Sequence, residues 1–137
     1  LGAVPGEEIV LVAGGTGITP FISFISNELY SPTSISMKLI YGVRKSELFL
    51  FQDILSQAVS YLNGFKLLAF SEDGRHNNCQ FPVGEGSLSL DKVWQAAADP
   101  LKATFYLAGP VAMINAFKAG LTDRGVKFDN IRIDEWE

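Results

Sequence analysis

The first residues that could do chemistry form a glycine-rich stretch, GGTGITP at positions 14–20, directly after the apolar run at 9–13. Glycines let a backbone turn tightly and come close to a ligand. Pro20 is typical of a first helical position, and Thr19 before it is predicted as the N-cap. The free N–H groups of a helix start attract an anion. The stretch therefore predicts a strand, a phosphate-facing turn and a helix.

The same stretch also fits a simple tight connection between a strand and a helix. Pro20 stands where the fingerprint GxGxxG, counted from Gly15 and Gly17, has its third glycine, which argues against the common Rossmann pattern. No lysine follows the glycines, so the phosphate-binding loop of the NTPases is excluded. Nucleotide binding therefore needs support from the rest of the chain.

Composition limits the classes of protein that remain. The 137 residues are 47% hydrophobic and 19% charged, which indicates one globular domain with a real core. The net charge is −4 and the 11 basic residues are scattered, so nucleic acid is not an expected partner. The apolar runs are too short to span a membrane. The single cysteine, Cys79, excludes an internal disulfide or an iron–sulfur cluster held by this chain alone. We expect the protein to lie in the reducing cytoplasm.

Apolar periodicities predict the elements that must position the glycine-rich stretch. Periods of two and of 3.6 residues alternate along the chain, separated by Gly, Pro, Asn and Ser. The predicted order is strand 9–13, helix 20–29, strand 37–42, helix 48–62, strand 65–70, an irregular stretch 71–86, helix 88–98, strand 104–108, helix 109–124 and strand 131–133.

Strands that alternate with helices indicate an α/β fold, a three-layer, doubly wound parallel sheet with helices on both faces. Five strands in the order 3-2-1-4-5 are expected. The ligand site of such a sheet lies at the carboxyl ends of the strands, where the strand order reverses. Glycine-bearing turns follow the first and fourth strands, so neighbouring positions for these strands bring both turns to one crevice.

Several motifs occur together in a recognisable order. They are AGGTGITP at 13–20, YGVR at 41–44, Glu47-Leu48, Gln52-Asp53, AGP at 108–110 with Met113, and Asp134-Glu135-Trp136. The set resembles the pyridine-nucleotide-binding domain of the ferredoxin–NADP⁺ reductase superfamily over nearly the whole chain. The resemblance implies a domain that binds NADH or NADPH in a flavin-dependent oxidoreductase.

The resemblance also implies partners. In this superfamily a hydride passes from nicotinamide to FAD or FMN, and electrons leave to a ferredoxin, an iron–sulfur or haem protein, or a quinone. The flavin is held by an N-terminal β-barrel. Nothing before Ile9 could form one, so we expect residues 1–137 to be the C-terminal domain of a longer polypeptide.

By resemblance, three groups of residues bind the cofactor. The first turn approaches the pyrophosphate or carboxamide, the second turn holds the nicotinamide side, and the ends of the second and third strands approach the adenosine half. The groups are Gly14, Gly15, Thr16, Gly17 and Thr19; Ala108, Gly109, Pro110 and Met113; and Arg44 with Ser71.

These assignments have ordinary structural alternatives. Arg44 also fits a solvated charge at a strand end, and Gly109-Pro110 also fits a plain helix start. Met113 lies on the apolar face of its helix and fits the core. His76 and Cys79 are spaced like half of a metal site, but the chain has no other His or Cys, so loop residues and no metal are expected.

One position departs from the superfamily. Ala108 stands where a cysteine commonly lies beside the reacting nicotinamide carbon, and alanine lacks that polarisable contact. Binding is still expected. The alternative is a non-catalytic docking or regulatory domain that kept the fold.

Residues after the third strand bear on the choice of coenzyme. NADPH enzymes of the superfamily often have Ser-Arg or Thr-Arg there, whereas this chain has Ser71-Glu72-Asp73. Two carboxylates would repel a 2′-phosphate, and one could accept hydrogen bonds from ribose hydroxyls, which slightly favours NADH. Arg75 could instead reach a phosphate.

The C-terminus carries the catalytic candidates that the resemblance implies. Asp134 and Glu135 are candidates for managing the proton, with Asp134 where the usual residue is Glu. Trp136 would stack on the flavin, and we expect its indole to be exposed in the isolated domain.

Overall fold

Strands and helices alternate along the computed structural model, which describes residues 7–33, 35–75 and 79–135. The strands are β1 Glu8–Gly14, β2 Ser36–Val43, β3 Phe65–Ser71, β4 Val83–Glu85, β5 Thr104–Gly109 and β6 Ile131–Glu135. The helices are α1 Thr19–Tyr30, α2 Gln52–Tyr61, α3 Leu90–Ala96 and α4 Val111–Asp123. Within these ranges no helix has the length and apolar character needed to cross a membrane.

The strands form one parallel sheet in the order β4-β3-β2-β1-β5-β6. The predicted order is confirmed for the five long strands, with β1 at the centre between β2 and β5. The sixth strand, β4, was missed, because the stretch 71–86 was expected to be irregular throughout. A strand of three residues is too short to show a periodicity, and β4 forms only through its pairing with Ala69–Ser71 of β3.

Helices cover both faces of the sheet, as the doubly wound prediction requires. In β1, Ile9 and Leu11 point into one core with α1 and α2, whereas Val10 and Val12 point into a second core with α3 and α4. All four side chains are fully buried. This burial on both faces explains why β1 is a continuous apolar run rather than an alternating one.

The predicted N-cap and three predicted helix starts were wrong. The helices predicted from 88 and from 109 begin only at Leu90 and Val111, because the residues before them form a loop and the end of β5. A 3₁₀ turn over Gly15–Ile18 runs directly into α1, so Thr19 already has a helical backbone and Ile18 stands at the N-cap position without a side-chain cap. The predicted helix 48–62 begins only at Gln52, because Phe49 is extended and buried and Phe51 has a left-handed backbone. The apolar periodicity of 48–51 reflects packing against the core and cleft rather than a helix.

Candidate nucleotide-binding site

A cleft of about 500 Å³ opens at the carboxyl ends of β1, β2 and β5. One end is formed by the turns after β1 and β5, which contribute Gly14, Gly15 and Thr16 from one side and Pro110 and Met113 from the other. The two strands are paired neighbours, with Ala13 opposite Ala108. The structure therefore brings both glycine-bearing turns to one crevice, as expected.

Glycine is needed in these turns for different physical reasons at different positions. Gly15 has φ +58° and nothing within 4 Å of the position of a Cβ, so its backbone faces open space. A Cβ on Gly14 would lie 2.6 Å from Sδ of Met113, and one on Gly109 would lie 2.9 Å from Cε of the same side chain. Met113 thus packs over both turns, and it belongs to the core and to the cleft wall together.

Two other predicted residues of the first turn lie away from the cleft. Gly17 is buried, and a Cβ on it would lie 2.2 Å from the carbonyl oxygen of Ala108. Glycine at this position therefore lets the two backbones pack closely. Thr19 is exposed on the first turn of α1 and does not line the cleft. Both residues shape the turn and its helix rather than the wall of the cleft.

The opposite end of the cleft has charged residues beside an apolar wall. Arg44 follows β2, Glu47 lies in the next turn, and Glu72 follows β3. Leu48 and Leu50 form an apolar wall between them. One cation and two carboxylates therefore surround a surface on which a planar base could lie.

Ser71 and Ala108 were predicted to bind the cofactor, but neither side chain lines the cleft. Both are fully buried. The Ser71 hydroxyl donates to Oδ1 of Asp73 at 2.8 Å, and Ala108 packs in the same core as Ile9 and Leu11. Contacts from these two side chains to a nucleotide stay predictions, and they would require the residues to move.

The turn after β3 separates its two carboxylates. The backbone N–H of Arg75 donates to Asp73 at 3.1 Å, and this bond, together with the Ser71 hydroxyl, holds the pKa of Asp73 below its ordinary value. Asp73 therefore closes its own turn, whereas Glu72 lines the cleft. The Arg75 side chain is exposed and does not line the cleft.

Ser87 and Leu88 line the cleft and were not predicted from the sequence. They belong to the loop between β4 and α3, which returns over the end of β2. A Cβ on Gly42 would lie 2.5 Å from Cγ of Leu88, so this leucine sits on the glycine. No local signal marks a loop leucine for such a contact, since Leu88 and Gly42 are far apart in the chain.

The C-terminal candidates lie elsewhere. Asp134 is exposed in β6, opposite Ala108 in the register, and lines a second groove of about 270 Å³ with Pro20 and Arg132. The Glu135 side chain and all of Trp136 lie outside what the structure describes. Their predicted roles and the predicted exposure of Trp136 stay untested.

His76 and Cys79, which were expected to be loop residues that bind no metal, are also only partly described. Cys79 is half-buried in its loop, and desolvation raises the pKa of its thiol, while His76 lies outside the described ranges. Across the residues that are described, no three His, Cys, Asp or Glu side chains come together in a way that could hold a metal ion.

The sequence pattern of one family, described as the oxidoreductase NAD-binding domain, matches residues 11–119, which include both turns and the cleft end of β2. The chain belongs to this oxidoreductase NAD-binding family. The match supports the interpretation as an oxidoreductase domain and gives no support to a non-catalytic docking domain.

Curated relatives of this NAD-binding domain are longer proteins. It is 22% identical over 127 residues to a flavohemoprotein of Bacillus cereus, covering 92% of this chain and 32% of that protein. It is 26% identical over 119 residues to the 2-halobenzoate 1,2-dioxygenase electron transfer component of Burkholderia cepacia, covering 85% of this chain and 34% of that protein. The chain thus spans about a third of the length of each of these relatives.

Solved structures share the fold. Flavohemoglobin from Malassezia yamatoensis, a structure with bound FAD and heme, superposes with a TM-score of 0.78 at 20% identity, over 100% of this chain and 33% of that one. The FAD/NAD-binding domain of nitric oxide dioxygenase from Vibrio cholerae gives a TM-score of 0.77 at 18% identity, over 98% of this chain and 53% of that one.

Proposed function

We propose that the cleft binds the whole dinucleotide NAD(P)H, with nicotinamide at the Gly14 and Pro110 turns and adenosine between Arg44 and Glu72. The observation that carries this proposal is the meeting of two glycine-bearing turns at one end of a cleft whose other end is charged. A cleft of about 500 Å³ lies within the range of ligand sites.

The first turn suits a pyrophosphate. Gly15 begins the 3₁₀ turn that leads into α1, so the free N–H groups of a helix start lie beside the cleft. The open space at Gly15 lets an oxygen approach the backbone where a side chain would block it. Arg44 adds the cation of the cleft, at the adenosine end. These residues bind and orient the cofactor.

The complete protein is proposed to be a flavin-dependent oxidoreductase. When bound, NAD(P)H supplies a hydride from nicotinamide, which FAD or FMN accepts. We propose a flavin-binding β-barrel domain before this one in the same polypeptide. Electrons would then pass to a ferredoxin, an iron–sulfur or haem protein, or a quinone, in the cytoplasm. The short fraction of each relative that this chain spans supports the additional domain.

The second groove is the proposed location of the catalytic candidates. Asp134 lies on it with Tyr106 and Arg132, at a β6 register opposite Ala108 and away from the adenosine end. We propose that Asp134, with Glu135 and Trp136 beyond it, faces the flavin and manages the proton. An Asp134→Asn variant of the full-length enzyme would then lose turnover more than NAD(P)H affinity.

Isothermal titration of the chain with NADH, NADPH and ADP-ribose tests the binding proposal. We expect heat from all three, because the pyrophosphate and adenosine contacts are within this domain. The absence of heat from every ligand would overturn the proposal and favour the docking domain.

A further inference from the structure

The apolar side of the cleft is formed by a segment with little secondary structure of its own, residues 47–51, called here the wall segment. Leu48 and Leu50 line the cleft and are 51% and 39% exposed. The segment leaves a 3₁₀ turn at Leu48, becomes extended at Phe49 and enters α2 after Phe51. Leucine side chains on such a backbone form a defined surface only if something behind them holds the backbone.

Tyr41 of β2 lies behind the wall segment. Its side chain is fully buried, and its hydroxyl oxygen accepts the backbone N–H of Leu50 at 2.8 Å. Burial raises the pKa of Tyr41, so the hydroxyl stays neutral across the physiological range. The wall segment is therefore tied at Leu50 to a rigid residue of the central sheet.

Aromatic packing fixes the residue before Leu50. The Phe49 ring packs edge-on against Tyr41, with 5.1 Å between the ring centroids, and also edge-on against Phe81 at 5.4 Å. Phe49 is buried, whereas Leu48 and Leu50 on either side of it are exposed to the cleft. Phe49 thus anchors the segment from behind while its neighbours face the ligand side.

The end of the wall segment has a constrained backbone. Phe51 has φ 59° and ψ 36°, a left-handed conformation that is unusual for a bulky residue. Such a conformation persists when its surroundings determine it. Gln80 supplies part of that constraint, because its backbone N–H donates to Gln52 at 3.0 Å and its side-chain amide donates to Asp53 at 2.6 Å.

We propose that Tyr41 is a positioning residue for the adenosine end of the cofactor, acting through the hydrogen bond that places Leu50 and its neighbours in the wall segment. This inference rests on the proposed function, since it assumes that an adenosine lies between the wall segment and Leu88. Tyr41 itself is buried and does not touch the ligand. Removing its hydroxyl releases the N–H of Leu50 and leaves the two glycine-bearing turns as they are.

The test is titration of ADP-ribose into Tyr41→Phe, with Tyr30→Phe as the control. Tyr30 ends α1, is 93% exposed and lines neither the cleft nor the second groove. Loss of one hydrogen bond predicts a Kd for ADP-ribose about threefold to tenfold higher in Tyr41→Phe. Tyr30→Phe should bind as the wild type does. Amide hydrogen exchange at Leu50 should become faster in Tyr41→Phe alone.

A second ligand separates positioning from general damage. Nicotinamide mononucleotide lacks the adenosine half, so its Kd should be the same for Tyr41→Phe and the wild type. Equal losses for both ligands, or an unchanged Kd for ADP-ribose, would overturn the inference. A wild-type chain that binds neither ligand would instead refute the proposed function.

Phe51→Gly provides an independent variant of the same segment. Glycine adopts the left-handed backbone freely but does not prefer it, so the segment gains freedom at its other end. We expect a weaker affinity for ADP-ribose with no change for nicotinamide mononucleotide. Wild-type affinity for ADP-ribose in this variant would count against the role of the wall segment.

Discussion

Gly17 lies directly against Ala108, so closely that a Cβ on Gly17 would stand 2.2 Å from the carbonyl oxygen of Ala108. The obstacle is a backbone atom of a central strand, which cannot swing aside as the end of a flexible side chain can. The contact holds the turn after β1 against the end of β5. It therefore joins the two halves of the proposed nicotinamide end.

Gly17→Ala should lower the free energy of unfolding by about 3 kcal/mol, because the added methyl forces two backbone segments apart. Gly15→Ala is the matched control. Its Cβ would meet nothing within 4 Å, so only the left-handed φ of +58° opposes it, at about 1 kcal/mol. Urea unfolding measures both. Equal losses would mean that the close contact with β5 does not decide the stability of this turn.

Glu72→Gln should shift coenzyme preference toward NADPH. Glu72 lines the cleft at the proposed adenosine end, where its carboxylate would repel a 2′-phosphate and suit ribose hydroxyls. We expect the ratio of the NADPH Kd to the NADH Kd to fall about threefold to tenfold, as for removal of about 1 kcal/mol of repulsion. Asp123→Asn, on the exposed end of α4, is the control and should leave the ratio unchanged.

The wild-type preference has its own test. We expect NADH to bind slightly more tightly than NADPH. Tenfold tighter binding of NADPH, a difference of about 1.4 kcal/mol, would contradict this and would implicate Arg75. In that event Arg75→Ala should remove the preference.

The isolated chain should purify colourless and show no NAD(P)H-dependent reduction of ferricyanide. None of its side chains accepts a hydride, so electron transfer would require the flavin of the proposed additional domain. A visible absorption spectrum and a ferricyanide reduction assay check this. A yellow chain with a flavin spectrum would place flavin binding in this domain.

Glu8 should make the fold sensitive to acid. Burial alone would raise the pKa of Glu8, but hydrogen bonds from the N–H groups of Ala98 and Asp99 and from the Lys38 ammonium outweigh it, so the pKa lies below its ordinary value. A carboxylate with a depressed pKa adds stability above the pKa of the unfolded chain. That stability is lost as the pH falls through the folded-state pKa.

Glu8→Gln tests the pH effect. The variant should be less stable than the wild type at neutral pH, and the difference should shrink as the pH falls below about 4. Urea midpoints across the acid range measure this. The exposed Glu85→Gln is the control and should follow the wild-type curve. A loss of stability in Glu8→Gln that does not change with pH would show that packing and hydrogen bonding, not the charge, matter at this position.

Much of the fold could be predicted because it depends on local signals. The run at 9–13 is apolar at every position since β1 is buried on both faces, and Pro20 and Gly109 punctuate the chain where helices follow strands. The order of the five long strands then followed from the general rules of parallel sheets. The family of the chain was readable for the same reason, since its motifs lie at the strand ends.

The sequence by itself thus determined the order of the five long strands, the two turns and their meeting at one cleft. Only the tertiary structure decided which residues face that cleft. Ser71 is turned inward by Asp73, Ala108 is packed under Gly17, and Leu88 arrives from a distant loop to lie on Gly42. Such placements depend on long-range packing and on which polar groups find partners, and neither is encoded in the spacing of neighbouring residues.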